Sequence, residues 1–421
     1  MPSVPSSAST PSILPNASTP SIPPNASTAS IPPNASTASI TANASTGSAS
    51  PRPLRGRGAG GEGAPLGEFT LIERFFARST PERQGIGDDC ALIDIGNQTL
   101  ALTSDMLLEG VHFLPDVNPE DLGHKSLAVN LSDLAAAGAR PRCFLLDLAL
   151  PRADAAWLEA FSRGMFALAQ AHECALIGGD TTRAPSGPDS AGLLTIAITA
   201  IGEVDRDRYR GRSGARPGDD IWITGSTGEA ALALAYRRGQ IDIPEPARSA
   251  CILRMDRPTP RIALGRALVG TATASIDVSD GLLGDLGHIL ERSSVGAVLY
   301  WPAIPRAAVF SSLPLAMQYA CVLAGGDDYE LVFTAPASSR ATLQQLVGDG
   351  VGVSRIGQIE SAPGLRLRDG EHHGAPLIEV NLQSFDHFVA PSPGPLGQAS
   401  ADVAALEPGA DGHGDKTGVG S

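Results

Sequence analysis

The sequence predicts a two-domain α/β (α+β) protein, and three observations support this prediction. Strand-like runs alternate with longer stretches of helical periodicity between residues 67 and 388. A turn-rich segment, RSGARPGDD at residues 212–220, interrupts this pattern, which then resumes. The chain has 421 residues, of which 42% are hydrophobic, and this is enough apolar material for two ordinary domains.

Composition divides the chain into four parts. Residues 1–66 form a predicted disordered tail and linker, because the first 50 residues carry no charge and repeat the motif NAST every nine residues. An N-terminal α/β domain is expected over residues 67–204, and a C-terminal α/β domain over residues 205–389. The Gly- and Pro-rich residues 390–421 are predicted to form a second disordered tail.

The elements of the first domain are predicted in chain order. Apolar residues between 71 and 76 mark one face of a helix, and two strand-like runs at 90–95 and 98–104 flank Gly96-Asn97, which is typical of a hairpin turn. Asn118, followed by Pro119, predicts the start of a helix that ends near Gly138. A helix over 154–173 and a strand over 193–204 complete this domain.

The second domain repeats the alternation of strands and helices. Its predicted strands cover residues 221–224, 274–278, 297–300 and 330–334. Its predicted helices cover residues 229–238 and 282–292.

Aspartates at the ends of predicted elements are the most informative residues. The motif GIGDD (85–89) precedes the first hairpin strand and TSD (103–105) ends the second, so the hairpin gathers Asp88, Asp89 and Asp105 at one end of a sheet. Asp133 lies within an otherwise apolar helix, where aspartate is unfavourable. Three further motifs place aspartates near strand ends: LIGGDTT (176–182), with its Gly-Gly-Asp expected in a loop, SIDVSDG (275–281) and LAGGDDYELVF (323–333).

These carboxylates predict a magnesium site. Each motif alone fits ordinary turn or cap chemistry, but six of them in one folded block indicate convergence. Two carboxylates 4 Å apart repel by ~4 kcal/mol at an effective dielectric constant near 20, so cations must compensate. Because no cluster of His and Cys ligands accompanies them, the expected ion is the oxygen-preferring Mg²⁺, as in phosphoryl-transfer sites.

Several classes of protein are excluded or disfavoured. The net charge of −14 (31 basic minus 45 acidic residues) argues against a general nucleic-acid binder. No apolar run is long enough to predict a membrane span, and five cysteines without a CxxC pair indicate a reduced, cytoplasmic protein. Walker and protein-kinase motifs are absent. The turn GSTGEA (225–230) either faces a phosphate or is a plain turn.

The ordered motifs resemble the thiamine-monophosphate kinase family of the aminoimidazole-ribonucleotide-synthetase-like superfamily. They are GEFTLIERFF, GIGDDCALI, TSDMLLEGVHF, NLSDLAAAGA, LIGGDTT, RSGARPGD, IDVSDGLLGDLGHI, GGDDYEL and SFDHF. The resemblance implies the two-domain fold of that superfamily, with the N-terminal sheet paired across a homodimer. It also implies ATP-dependent phosphorylation of thiamine monophosphate to thiamine diphosphate, the last step of thiamine diphosphate biosynthesis, by direct in-line transfer with several Mg²⁺ ions.

The resemblance also implies roles for individual residues. The implied metal ligands are Asp89, Thr103, Ser104, Asp105, Asp133, Asp180, Asp277 and Asp280. The implied ATP contacts are Gly179, Asp180, Arg212 and Ser279, and the implied substrate contacts are His112, Asp327 and Phe385. The family prefers Thr at position 104 and often has Glu at position 327. No general base is expected, because the attacking phosphate oxygen is already largely deprotonated.

Two alternatives remain at this stage. One is another ATP-dependent enzyme of the superfamily, such as a selenide kinase or a purine-pathway synthetase. A selenide kinase should carry a reactive cysteine in its N-terminal Gly-rich segment, and no cysteine precedes Cys90. The other is a non-catalytic nucleotide-binding relative, which lost carboxylates would mark. None of the motif aspartates is missing.

Overall fold

The computed structural model describes residues 67–77, 86–185, 192–371, 374–378, 382, 385 and 387. These residues all belong to one compact unit, Gly63–Ser421. The predicted disordered tails at 1–66 and 390–421 lie outside the described residues.

The first half of the described chain forms a five-stranded sheet with the strand order β1-β2-β5-β3-β4. Its strands are β1 (Ala91–Ile95), β2 (Gln98–Leu108), β3 (Arg140–Leu150), β4 (Ala175–Arg183) and β5 (Thr195–Val204). Its helices are α1 (Glu68–Phe75), α2 (Pro119–Ala136) and α3 (Ala155–Ala171). Helix α2 packs against β2 and β5, and α3 packs against α2.

Local signals explain why the predicted elements of this half are confirmed. The β1–β2 hairpin turns at Gly96, whose φ is +62°, and β2 continues four residues beyond the predicted end. The Asn118 side chain accepts a hydrogen bond from the backbone N–H of Glu120 at 2.9 Å and starts α2. Asp154 starts α3 by accepting one from the N–H of Trp157 at 3.1 Å.

The Gly-Gly-Asp segment at residues 178–180 was wrongly predicted to be a loop. It lies inside β4, which pairs in parallel with β3 from Cys143↔Ala175 to Leu150↔Arg183. At Gly179 φ is +139°, and a Cβ would lie 1.9 Å from the Leu146 carbonyl oxygen. Only glycine allows this close approach of two strands, and the partner strand β3 was itself not predicted.

The second half forms an eight-stranded sheet with the order β13-β12-β8-β11-β6-β9-β7, and β10 pairs with β11. Its strands are β6 (Asp220–Thr224), β7 (Ala274–Asp277), β8 (Gly296–Tyr300), β9 (Leu331–Ala335), β10 (Val347–Gly348), β11 (Val351–Glu360), β12 (Gly364–Arg368) and β13 (Leu377–Ile378). Its helices are α4 (Glu229–Arg237), α5 (Ala247–Asp256), α6 (Ile262–Leu268), α7 (Leu282–Ser293), α8 (Leu315–Ala324) and α9 (Arg340–Leu343). The predicted strands and helices of this half are confirmed within one residue at each end.

Helix α2 links the two sheets. It packs against the first sheet, and it also contacts α6 and β7 of the second half. At Gly265 in α6, a Cβ would lie only 2.0 Å from the Ala135 carbonyl oxygen, so the two helices touch along their backbones. One apolar core accordingly includes Leu127 of α2 together with Trp222 and Phe333 of the second sheet.

Among the residues described, none of the helices combines the length and the apolar character needed for a membrane span.

Candidate active site

Three aspartates from three separate elements converge beside α2. A carboxylate oxygen from each of Asp89, Asp133 and Asp277 lies within 4.8 Å of the others. Asp89 lies just before Cys90 and the start of β1, Asp133 lies in the last turns of α2, and Asp277 is the last residue of β7. We call these three residues the acidic triad.

Hydroxyl groups of β2 and α2 orient two carboxylates of the acidic triad. The Thr103 hydroxyl of β2 donates to Oδ2 of Asp133. The hydroxyl of Ser132 donates to Oδ2 of Asp277 at 2.6 Å, and this bond joins α2 to the second sheet. Neither Ser132 nor its bonding role was predicted from the sequence, because its partner lies 145 residues away.

Burial raises the pKa values of these acidic groups. It raises the pKa of Asp89 to about 7, although the charge of Arg212 opposes this rise. It raises the pKa of Asp277 to about 6, and that of Asp133 well above its usual range. For Asp105 the pKa rises to about 6, through burial and then through the charges of Asp280 and Asp89. A buried set of oxygen donors that repel one another fits a hard divalent cation such as Mg²⁺.

Arg212 is the cation that contacts the acidic triad directly. Its Nε and Nη2 atoms donate to Oδ1 of Asp89 at 3.1 and 2.5 Å. The backbone N–H of Arg212 donates to Oδ1 of Asp88 at 2.6 Å, so Asp88 holds this arginine segment. The implied nucleotide-binding arginine therefore lies beside an implied metal ligand.

Asp285 organises the loop that follows β7. Its Oδ2 accepts hydrogen bonds from the backbone N–H groups of Ser279, Asp280 and Gly281, each at 3.1 Å. This fixes Ser279 and Asp280, two of the implied site residues, relative to Asp277. No role was predicted for Asp285 from the sequence, although an acidic residue in the first turn of a helix is a usable signal.

Ser104 points away from the acidic triad, because side chains alternate along β2. Its neighbour Thr103 faces α2, whereas the Ser104 hydroxyl lies 3.0 Å from the hydroxyl of Thr199 on the exposed face of the sheet. The expectation that the Ser104 side chain joins the carboxylates is therefore not met within one chain.

Asp180 also lies far from the acidic triad within one chain. It is in the exposed strand β4, opposite Asp147 of β3, and that row continues through Ala197 to Met106 of β2. Strand β4 is three interstrand spacings from β2, or ~14 Å. Asp180 and Gly179 thus lie apart from the implied metal ligands of their own chain.

Two of the implied substrate residues, His112 and Phe385, form a small aromatic group with His387. The ring centroid of His112 lies 5.0 Å from that of His387, and the Phe385 ring packs edge-on against His387 at 4.8 Å. Nδ1 of His112 accepts a hydrogen bond from the backbone N–H of Leu108 at 3.0 Å. Burial, and then His387, lower the pKa of His112.

Two of the implied substrate residues, Asp327 and Phe385, are hydrogen-bonded to the loop that follows β7 and carries Ser279 and Asp280. The backbone N–H of Asp327 donates to the Ser279 carbonyl at 2.8 Å. The N–H of Phe385 donates to the Asp280 carbonyl at 3.2 Å. The substrate-side and metal-side residues are therefore held by one segment of backbone.

The neighbours of Asp327 have structural partners. Asp328 accepts a hydrogen bond from the N–H of Gly228 at 3.0 Å, at the start of α4. Glu330 is fully buried and pairs with Arg254 at 2.8 Å and with Nε of Arg261 at 2.7 Å. Asp328 therefore holds the GSTGEA turn at the start of α4.

The comparisons with known proteins agree with this architecture. The family model "AIR synthase related protein, N-terminal domain" matches residues 87–204, and the corresponding C-terminal model matches residues 216–370. The fold and the acidic site thus define an AIR synthase related protein.

Individual relatives show to which family within this class the chain is similar. A thiamine-monophosphate kinase of Salmonella typhimurium is 43% identical over 335 residues, covering 77% of this chain and 99% of the relative. The crystal structure of the thiamine-monophosphate kinase of Stenotrophomonas maltophilia K279a is 44% identical, with a TM-score of 0.60, covering 72% of this chain and 97% of the other. AaThiL complexed with AMPPCP and TMP is 30% identical, with a TM-score of 0.63, over 77% and 97% of the two chains. The chain belongs to the thiamine-monophosphate kinase family.

Proposed function

We propose that this protein transfers a phosphoryl group from ATP to thiamine monophosphate and forms thiamine diphosphate. The observation that carries the proposal is the match to nearly the full length of a curated thiamine-monophosphate kinase, by a chain in which the acidic triad converges. The structure of AaThiL with AMPPCP and TMP supports the same pair of substrates. By this activity the protein would complete thiamine diphosphate biosynthesis.

Magnesium is the cofactor that the donor set fits. Asp89, Asp133 and Asp277 would hold it, with Thr103, Asp105 and Asp280 as further oxygen donors. When bound, Mg²⁺ would cancel charge between the two anionic phosphate groups and so permit in-line transfer. Arg212 would bind nucleotide phosphates, since it carries its charge at the edge of the acidic triad.

The transfer needs no general base, and His112 has a different part. Because a backbone N–H donates to Nδ1, the neutral ring carries its proton on Nε2. The lowered pKa keeps the ring neutral near pH 7. His112 would therefore donate a hydrogen bond to the substrate, beside Asp327 and Phe385.

We also propose a homodimer in which the first sheet is covered by a second copy. Its exposed face carries Ile93 and Met106, which are 46% and 55% exposed, together with Ser104. Asp180 lies on the same side of the sheet by its register with Met106. A second copy could therefore bring its own Gly179 and Asp180 towards the nucleotide site of the first.

We also propose two domains and a cytoplasmic location. The division into domains at residues 67–204 and 205–389 is supported by the first sheet ending at Val204 and the second starting at Asp220. A cytoplasmic location is supported by five free cysteines, four of which are buried.

The test is a phosphorus NMR time course with ATP, Mg²⁺ and thiamine monophosphate. The wild-type protein should form thiamine diphosphate, and omission of Mg²⁺ should abolish the signal. Asp133→Asn should lower the rate at least ~100-fold, because a ligand of the metal is lost.

Two other outcomes have definite meanings. Consumption of ATP without thiamine diphosphate would identify a different acceptor within the superfamily. Bound nucleotide without turnover of either substrate would reject the kinase and indicate a non-catalytic relative.

A further inference from the structure

Lys125 is a buried cation of α2 that has no part in the site described so far. Its side chain is only 3% exposed, and its Nζ pairs with Oδ2 of Asp327, whose side chain is 33% exposed. Lys125 lies in the part of the chain matched by the N-terminal family model, and Asp327 in the part matched by the C-terminal one. The ion pair therefore joins the two halves at the substrate side of the site.

The charges around Lys125 make Asp327 its main partner. An ammonium group removed from water is costly unless a counter-ion and hydrogen bonds satisfy it. The charge of Lys125 also acts on the pKa of Asp256, at the end of α5, and on that of His112, and lowers both. Neither makes a direct bond to Nζ in the described part of the structure.

The backbone around Asp327 is held in an unusual conformation. Asp327 and Tyr329 have φ values of +70° and +52°, which non-glycine residues rarely adopt. Their N–H groups donate to the carbonyls of Ser279 and Val278, both at 2.8 Å. Such strain persists where the surroundings fix it, and it is concentrated at functional sites. Backbone hydrogen bonds therefore fix the loop, and Lys125 fixes the carboxylate of Asp327.

We propose that Lys125 is a positioning residue for substrate recognition, which holds the Asp327 carboxylate in the cleft beside His112. A fixed, ionised carboxylate complements the cationic thiazolium ring and the amino group of thiamine monophosphate. The inference rests on the proposed function. It assigns substrate affinity to a residue that need not touch the substrate itself.

The test compares three variants by steady-state kinetics and thermal unfolding. Lys125→Met removes the charge, and Lys125→Arg keeps it in a different geometry. Arg257→Met is the matched control, because Arg257 pairs with Asp121 of the same helix at 2.8 Å across the same two halves. The measured quantities are kcat, the KM for thiamine monophosphate, the KM for ATP and the Tm.

Lys125→Met should raise the KM for thiamine monophosphate about tenfold and change the KM for ATP less than about twofold. Lys125→Arg should give an intermediate increase. Arg257→Met should lower the Tm without changing either KM. If Lys125→Met does not fold, the arginine variant decides, because an unchanged KM for thiamine monophosphate would overturn the proposal.

A double-mutant cycle tests whether Lys125 acts through Asp327. Combining Lys125→Met with Asp327→Asn should raise the KM for thiamine monophosphate no more than Asp327→Asn does alone. Additive effects would overturn the positioning role. If the wild-type protein phosphorylates thiamine monophosphate and Lys125→Met leaves the KM for thiamine monophosphate unchanged, this inference alone is rejected. Wild-type protein that binds ATP but not thiamine monophosphate would reject it together with the proposed function.

Discussion

Burial determines at which pH the individual carboxyl groups of the acidic triad lose their protons. Asp89 has a pKa of about 7 and Asp277 one of about 6, against an ordinary value of 3.8. The folded, metal-free protein therefore binds protons that the unfolded chain releases. A bound divalent cation would replace these protons, so metal binding should release them and become tighter as the pH rises.

The sign of the resulting pH dependence follows from linkage. Because the folded state holds more protons than the unfolded state between about pH 4 and 7, the free energy of unfolding of metal-free protein should decrease as the pH rises through this window. The Tm in EDTA should therefore be lower at pH 7.5 than at pH 5.5. With Mg²⁺ present this decrease should become smaller, and calorimetry measures both.

Asp133→Asn serves as the control for this experiment, since it removes one of the carboxyl groups whose pKa is raised by burial. The variant should show a weaker pH dependence of the Tm in EDTA. An equal slope in both proteins would assign the effect to other groups.

Among the secondary-structure elements, those with local signals were predictable and those with distant partners were not. The hairpin at Gly96, the start of α2 at Asn118 and the loop after β7 are specified within a few residues of sequence. Strand β4 was predicted only as far as the Gly-Gly-Asp segment, because its continuation to Arg183 depends on its pairing with the distant strand β3. The same limit applies to the site: Asp327 lies 202 residues from Lys125, and this distance explains why their ion pair was not predicted.

The contact between α2 and α6 gives a prediction at this scale. Gly265→Ala would place a Cβ 2.0 Å from the Ala135 carbonyl oxygen, which should push the helices apart and cost about 1–3 kcal/mol of unfolding free energy. Urea denaturation measures this change.

The matched control is Gly287→Ala in α7, where a Cβ would meet no atom within 4 Å. It should stabilise the protein by about 0.5–1 kcal/mol, because alanine favours a helix over glycine. Equal destabilisation by both substitutions would contradict the close approach of α2 and α6.

For the whole molecule, the proposed homodimer predicts complementation between two inactive variants. If Asp180 serves the site of a second copy, a mixed dimer of one Asp133→Asn chain and one Asp180→Asn chain has both defects in the same site. A mixed dimer then has one site with both residues intact. Co-expression should restore ~25% of wild-type activity, because half of the randomly paired dimers are mixed and each has one working site of two.

Differently tagged chains and purification through both tags allow the mixed dimer to be assayed directly. Each variant alone is the control and should remain inactive. Activity in the mixture no higher than the sum of the separate variants would place Asp180 outside the partner's site.

Helix α2 also has a metric consequence. Two residues of α2 lie at opposite ends of the site: Lys125, which pairs with the substrate-side carboxylate, and Asp133 of the acidic triad. They are eight residues apart, which is ~12 Å along the helix at 1.5 Å per residue. The separation between the acceptor end and the metal end of the cleft is thus set by a count of residues. Inserting a single residue between them would turn one end by about 100° relative to the other. An insertion that keeps both side chains facing the cleft would have to add close to a whole number of turns.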